Sequence, residues 1–296
     1  MKCALITAGG CGTRLYPLST KERPKQFVKM FGDKSLIELT YDRVTKFINK
    51  ENVFIVLPEK YHHFINELLP DVDEENIIIE PEQRSTAPCV LYSCLYIKKI
   101  RNDATLFVFP ADHYIMDTNK FINTLNDVYN YILNNNNRLV LLGIKPNKPQ
   151  DRYGYLKCTR SNNNIIKISK FKEKPNKFKA IMYYLSNRYY WSGDIYGFNI
   201  DYMINLYKNL LPNDYSLLTN NDIDINEAYK KCSNVSVAYA IFENVKDIYM
   251  IKCNFHWDDV GVFESLLKYT NNKNVIDAYN EKIKSEEIND LIKITQ

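Results

Sequence analysis

Lys2-Cys3-Ala4-Leu5-Ile6-Thr7-Ala8-Gly9-Gly10-Cys11-Gly12-Thr13-Arg14 opens the chain and decides how the rest is read. Cys3 to Ala8 are apolar except for Thr7, which suits a strand buried on both faces. The glycines that follow remove side chains that would hold a phosphate away from backbone N–H groups, and Arg14 adds a fixed positive charge beside them. The stretch therefore reads as a polyphosphate-binding turn. Two familiar phosphate-binding patterns fail on its residues. A dinucleotide fingerprint needs a third glycine where Leu15 stands, and a P-loop needs Gly-Lys-Ser/Thr where the chain has Gly12-Thr13-Arg14. Asp33 cannot serve as the acidic partner of a dinucleotide site, because it sits in the polar turn Gly32-Asp33-Lys34 and not at a strand end. On this stretch alone, a glycine-rich turn that merely joins strand to helix stays open.

Working outward, Ser35-Leu36-Ile37-Glu38 reads as a capping box opening a helix to about Asn49. Strands follow at Val53–Leu57, Ile77–Ile79, Thr105–Phe109 and Leu139–Leu142. Between them lie a short helix with Tyr61, Phe64, Ile65, Leu68 and Leu69 on one face, a helix from Pro88 to about Ile100, and one from Lys120 to about Leu133. Short, nearly all-apolar strands alternating with amphipathic helices predict a doubly wound, mostly parallel α/β sheet of Rossmann-like type, with ligands at the strands' carboxyl ends. The glycine turn, Glu80 and Asp112 all fall at such ends. Beyond Gly143 the alternation becomes irregular: Tyr153–Leu156, Ile165–Phe171, Asp194–Phe198 and Ile248–Lys252 read as strands of a mixed, partly antiparallel lobe. Helices are expected from about Asp201 to Leu210, after Asn221, and from Val262 to Tyr269. The Asn-rich tracts 134–137 and 162–164 read as loops.

Composition narrows the class. Of 296 residues, 45% are hydrophobic and 25% charged, as in a soluble globular protein. A net charge of +4 with no clustered Lys/Arg run argues against a nucleic-acid partner. The seven cysteines are odd in number, scattered and never spaced as C-x-x-C, which argues for reduced thiols and a cytoplasmic protein. The apolar run after Lys2 ends at Ala8, too short for a secretory signal, and no stretch approaches the ~20 apolar residues that span a bilayer, so no membrane contact is expected. Cys11 reads as incidental rather than reactive. The adjacent His62 and His63 point about 100° apart on a helix and suit a surface role better than a shared metal.

The segment Ala8-Gly9-Gly10-x-Gly12-Thr13-Arg14-Leu15-x-Pro17-Leu18, with Pro24-Lys25-Gln26-Phe27, resembles the opening signature of the sugar-1-phosphate nucleotidyltransferases, most of all the mannose-1-phosphate guanylyltransferases. Further segments stand in that family's order at Glu80–Pro88, Pro110–His113, Phe171-Lys172-Glu173-Lys174-Pro175 and Trp257-Asp258-Asp259-Val260-Gly261. The resemblance is to a short form without an isomerase or β-helix domain. It implies a catalytic domain over residues 1–270, divided into a nucleotide-binding half (1–145) and a sugar-binding lobe (146–270), with 271–296 as a polar tail.

The same resemblance implies site residues. Nucleotide contacts would come from Ala8, Gly9, Gly10, Gly12, Thr13, Arg14, Lys25, Glu80, Arg84, Ser85, Thr86 and Asp112. Sugar contacts would come from Tyr153, Gly154, Glu173, Lys174 and Asp194. Asp112 and Asp259 would ligate Mg²⁺, a hard cation that takes oxygen ligands. On position alone Asp112 reads equally as a turn or N-cap aspartate, Asp258 is a local alternative to Asp259, and Lys172-Glu173-Lys174 reads as a solvated charge run. Nothing in the spacing shows that residues 112 and 259 meet. His113 is read as structural, through a ring hydrogen bond.

The implied reaction is in-line attack of a hexose 1-phosphate, mannose 1-phosphate in the nearest family, on the α-phosphorus of GTP, with pyrophosphate leaving. The catalytic set would be Arg14 and Lys25 on the triphosphate, Lys174 on the attacking phosphate, and Asp112 and Asp259. Three departures bear on specificity. Ser85 stands where the family has Asn, Arg152 replaces the first glycine of a Gly-Tyr-Gly-Tyr segment, and Trp191-Ser192-Gly193-Asp194 replaces Trp-Asn-Ser-Gly. The same chemistry with UTP and N-acetylglucosamine 1-phosphate is one alternative. A silent regulatory homologue is another, against which the complete charged set argues. The sequence leaves the oligomeric state open, a homodimer included.

Overall fold

The computed structural model describes residues 1–10, 12–159, 161 and 163–294, with side chains through residue 285; Cys11, judged incidental above, lies outside the described residues. Among the described residues one nine-stranded sheet runs through both halves of the chain. In chain order its strands are β1 (Lys2–Thr7), β2 (Val53–Pro58), β3 (Ile77–Glu80), β4 (Thr105–Pro110), β5 (Leu139–Ile144), β6 (Tyr155–Cys158), β7 (Ile165–Lys172), β8 (Tyr189–Asn199) and β9 (Ile248–Lys252). Their spatial order is β3-β2-β1-β4-β8-β5-β9-β7-β6, with β6 also pairing with β8.

The first block, β3-β2-β1-β4, is parallel throughout, and β1 lies at its heart with Leu5 opposite Phe54 on one side and Val108 on the other. Successive β1 side chains serve opposite faces. Ala4 and Ile6 pack with Phe27, Ile37, Tyr41 and Phe121, beneath helices α1 (Leu36–Val44) and α4 (Thr118–Leu133). Cys3 and Leu5 pack with Val90, Cys94, Ile97 and Tyr207, beneath α3 (Thr86–Ile100) and α6 (Ile200–Leu210). Both faces are covered, which is why the run Cys3 to Ile6 is apolar without alternation. In the second block β9 runs parallel to β5, while the β8–β4, β8–β5, β7–β9, β6–β7 and β6–β8 pairs are antiparallel, so the complete sheet is mixed.

Several boundaries differ from expectation. The capping box at Ser35 and Glu38 is present, with the Ser35 backbone N–H donating to Glu38 Oε2 at 2.7 Å, but α1 stops at Val44, where Thr45 Oγ1 also donates to the Tyr41 carbonyl at 2.9 Å. Strand β6 begins at Tyr155, which leaves Tyr153 and Gly154 in the turn before it. Strand β8 begins five residues earlier than Asp194, at Tyr189. Helices α5 (Lys177–Leu185) and α7 (Pro212–Thr219) were not foreseen.

The stretch expected to be a polar tail is largely helix α10 (Lys273–Ile294). Its Val275 and Ala278, one turn apart, pack with Leu15, Met30, Leu36, Val260 and Phe263. Two buried side chains suffice to dock its first turns although the sequence around them is charged. This small core ties the segment after the glycine turn to the one after Trp257.

Candidate active site

The glycine turn leaves β1 with its carbonyls held by two distant amides. Gln26 Nε2 donates to the carbonyls of Ala8 and Gly10, both at 2.8 Å, and Gln83 Nε2 donates to that of Gly9 at 2.5 Å. Gly12 has φ +57°, and a Cβ there would lie 2.8 Å from the backbone nitrogen of Lys25, so the position requires glycine on both counts. Among the described residues other than its chain neighbours, a Cβ on Gly10 would meet no atom within 4 Å. There the turn opens onto a cavity of about 840 Å³, which Gly9 and Gly10 line.

Lys25 is the pivot of the cavity floor. It is buried, and its Nζ lies 3.0 Å from Asp112 Oδ2 while donating to the backbone carbonyl of Asp259 at 2.6 Å. One ammonium thus joins the turn after β4 to a loop 147 positions later in the chain. Burial pushes the Asp112 carboxyl up, but the charges of Lys25 and His113 outweigh it and hold the group below the ordinary carboxylate range. Burial keeps the His113 ring below its usual value, countered only in part by the charges of Asp112 and Asp194. The Trp257 indole N–H donates to its Nδ1 at 3.1 Å. His113 is held in place by that ring bond, as the sequence suggested.

Asp259 and Asp258 have separate employment. Tyr153 donates its hydroxyl to Asp259 Oδ1 at 2.7 Å, and Asp259 lines the cavity. Asp258 instead accepts from the Val260 backbone at 2.8 Å, Ser265 Oγ at 2.5 Å and Tyr269 Oη at 3.1 Å, which pins the loop. Val260 has φ +45°, and a Cβ on the following Gly261 would lie 2.8 Å from Asp259 Oδ2 and 3.2 Å from Arg14 Nη1. That gap, left by a missing side chain, is where Arg14 and Asp259 face each other. Tyr153 is itself wedged edge-on between Trp191 and Trp257, with ring centroids 5.0 and 5.4 Å away.

The opposite wall carries acids. Glu173 is buried beside Lys174 Nζ at 3.4 Å, its carboxyl raised first by burial and lowered in part by that lysine. Among the described residues its Oε2 has no hydrogen-bond partner. A buried acceptor in that state is ready for a ligand hydroxyl. Asp194 has φ +50° and is exposed to the cavity, and the protein packed around it, then the charge of Glu173, raise its carboxyl toward about 6. Its side chain still touches the water of the cavity, which moderates that rise. Glu80 is buried at the end of β3, raised by burial, and accepts from Tyr229 Oη at 2.6 Å.

Of the residues singled out in the sequence, Gly9, Gly10, Arg14, Lys25, Glu80, Ser85, Thr86, Asp112, Tyr153, Glu173, Lys174, Asp194 and Asp259 share this one cavity. Ala8, Gly12, Thr13, Arg84 and Gly154 do not line it. Ala8 is buried, Thr13 starts a short 3-10 turn (Thr13–Leu15), and Arg84 pairs with its neighbour Glu82 at 3.1 Å. Gly154 lies behind the wall, where a Cβ would approach Glu173 Oε2 to 2.7 Å. Sequence reasoning missed Gln26 as the clamp of the glycine turn, although it stands in the quoted Pro24-Lys25-Gln26-Phe27 segment. It also missed Gln83, Tyr229 and Glu243. The last accepts from the Glu173 backbone at 2.9 Å and from Lys172 at 3.1 Å. Neither Tyr229 nor Glu243 carries a local signal, because each acts on a residue far away in the chain.

Comparison with known proteins bears on the family of the chain. The pattern of the Nucleotidyl transferase family matches residues 3–275. A mannose-1-phosphate guanylyltransferase of Escherichia coli is 31% identical over 281 residues, covering 88% of this chain and 60% of its own length. One of Salmonella montevideo is 32% identical, with 88% and 58% covered. The chain therefore spans under two thirds of the length of these relatives. A solved Thermus thermophilus structure, described as a mannose-1-phosphate geranyltransferase, superposes with a TM-score of 0.82 at 28% identity, covering 92% of this chain and 80% of the other. With the family pattern running over nearly its whole length, the chain belongs to the nucleotidyl transferase family.

Proposed function

We propose that the protein is a mannose-1-phosphate guanylyltransferase, joining mannose 1-phosphate to GTP and releasing pyrophosphate. The observation that carries this reading is the meeting of Lys25, Asp112 and Asp259 in one cavity, with the glycine turn and Arg14 on one side and Glu173, Lys174 and Asp194 on the other. The triphosphate lies along the glycine turn, its charge met by Arg14 and Lys25, and the base lies toward Glu80, Gln83 and Ser85. The sugar lies against Glu173, Asp194 and Tyr153, with Gly154 behind that wall and Lys174 neutralising the sugar's phosphate. Attack by a phosphate oxygen on the α-phosphorus forms one P–O bond and breaks the bond to the leaving pyrophosphate. The protein contributes position and charge, with no covalent intermediate.

The donor set fits Mg²⁺. Asp112 and Asp259 supply hard carboxylate oxygens on the cavity wall, the ligand type that Mg²⁺ takes. When bound there, the cation supplies charge neutralisation between the two reacting phosphates. Lys25 holds the two segments together, and Tyr153 orients the Asp259 carboxylate. Free thiols at Cys3, Cys89, Cys94 and Cys232 support a cytoplasmic setting.

The test is pyrophosphate release with mannose 1-phosphate and GTP, ATP, UTP, CTP or dTTP in the presence of Mg²⁺. The reading expects GTP to be preferred. Preference for UTP with N-acetylglucosamine 1-phosphate would keep the chemistry and change the pair, and no release with any combination would point to a silent homologue.

A further inference from the structure

Helix α5 turns its apolar stripe outward. Phe178, Ile181, Met182 and Leu185 recur at i, i+3, i+4 and i+7, the spacing that gathers side chains on one helix face, yet they are 72%, 44%, 53% and 71% exposed. The inward side is made by Ala180, which is buried, and by Tyr183, stacked on Tyr189 with ring centroids 4.0 Å apart. The helix is thus anchored by one side and bare on the other.

Charge within the segment that carries the stripe has a single sign. Residues 174–193 contain Lys174, Lys177, Lys179 and Arg188 and no Asp or Glu. Lys179 and Tyr183 also line a groove of about 730 Å³ that adds further lysines, among them Lys170 and Lys246. Among the described residues Lys170, Lys179 and Lys246 form no ion pair, whereas the groove's Lys172 is paired with Glu243 at 3.1 Å. Two copies meeting through this face would press like-charged rims together. An apolar ridge standing out from the surface between basic flanks matches the way a surface helix settles at the boundary between headgroups and acyl chains of an anionic bilayer.

We propose that α5 docks the protein onto an anionic phospholipid surface, with Phe178, Ile181, Met182 and Leu185 entering the interface and the surrounding lysines meeting the headgroups. This departs from the expectation of no membrane contact, which rested on the lack of a spanning segment. Among the described residues no helix is long and apolar enough to cross a membrane, and docking requires none.

Vesicle flotation tests the proposal. The protein is expected to float with phosphatidylcholine vesicles that contain phosphatidylserine and not with phosphatidylcholine alone, and to come off in high salt. Phe178→Glu with Leu185→Glu should cut the floated fraction about tenfold or more while leaving circular dichroism and activity in solution unchanged. Lys177→Glu with Lys179→Glu should also weaken flotation, through charge alone. Failure of the unaltered protein to float overturns the proposal, and so does flotation that neither pair of substitutions changes. A dimer seen by sedimentation velocity and broken by Phe178→Glu with Leu185→Glu, without lipid binding, would overturn it by assigning the face to a second copy.

Discussion

Lys25 Nζ lies 3.0 Å from the carboxylate of Asp112 and 2.6 Å from the backbone carbonyl of Asp259. The side chain on which the nucleotide's charge is expected to fall thus also assembles the two acidic segments. Lys25→Ala should lower kcat by about 10²–10³, the usual cost of removing a preorganised charge from a reacting centre, while the protein remains folded. Steady-state kinetics paired with a thermal melt checks this. Wild-type turnover in the folded variant would refute the role.

Tyr153 reaches Asp259 Oδ1 at 2.7 Å and is held by two tryptophans. Tyr153→Phe keeps the ring and removes only the hydrogen bond. The Mg²⁺ concentration for half-maximal activity should rise about tenfold, the scale found when a group that orients a metal ligand is lost, with kcat at saturating Mg²⁺ changed little. An unchanged metal titration would show that the hydroxyl does not orient Asp259.

Asp194 is exposed to the cavity, and the protein crowded around it, then the charge of Glu173, raise its carboxyl toward about 6, with His113, Ser192 and Lys174 acting in the opposite sense. Its ionised form is the one able to accept sugar hydroxyl bonds, so kcat/KM for the sugar phosphate should fall as pH drops through about 6. Asp194→Asn should be slower at pH 8 and lack that limb. Stability runs the other way. The folded pKa is raised, so the native state holds a proton that the unfolded chain releases from about 3.9 upward, and stability is lost as pH rises toward 6. Asp194→Asn should therefore melt higher than the unaltered protein at pH 8, and the difference should shrink toward pH 4.

Gly154 marks where the sugar side has no room. A Cβ there would lie 2.7 Å from Glu173 Oε2 and 2.8 Å from Phe171 Cζ. Gly154→Ala should displace Glu173, raise KM for the sugar phosphate well above its effect on KM for the nucleotide, and cost about 1–3 kcal/mol of stability as overpacking does. Equal changes in both KM values would contradict the division of the cavity.

Much of this was legible in the chain because the signals were local. The apolar run Cys3–Ile6, the Ser35–Glu38 capping box and Ile248–Lys252, which matches β9 residue for residue, each specify their own element. The glycine turn, Lys25, Asp112 and Asp259 were legible through ordered motifs. What stayed hidden depends on distant partners. Tyr229 holds Glu80 from 149 residues away, and Glu243 holds the Glu173 backbone across 70. Helix α5 escaped notice because its apolar stripe faces solvent, and α10 because only Val275 and Ala278 mark its buried side.

The central claim is that Asp112 and Asp259, brought together by folding, serve a single cation. A double-mutant cycle in kcat on Asp112→Asn, Asp259→Asn and the pair tests it most directly. The account predicts that each single change lowers kcat by about 10² or more and that the double variant is hardly slower than the worse single one. Full multiplication of the two losses, or wild-type turnover in either single variant, would contradict it.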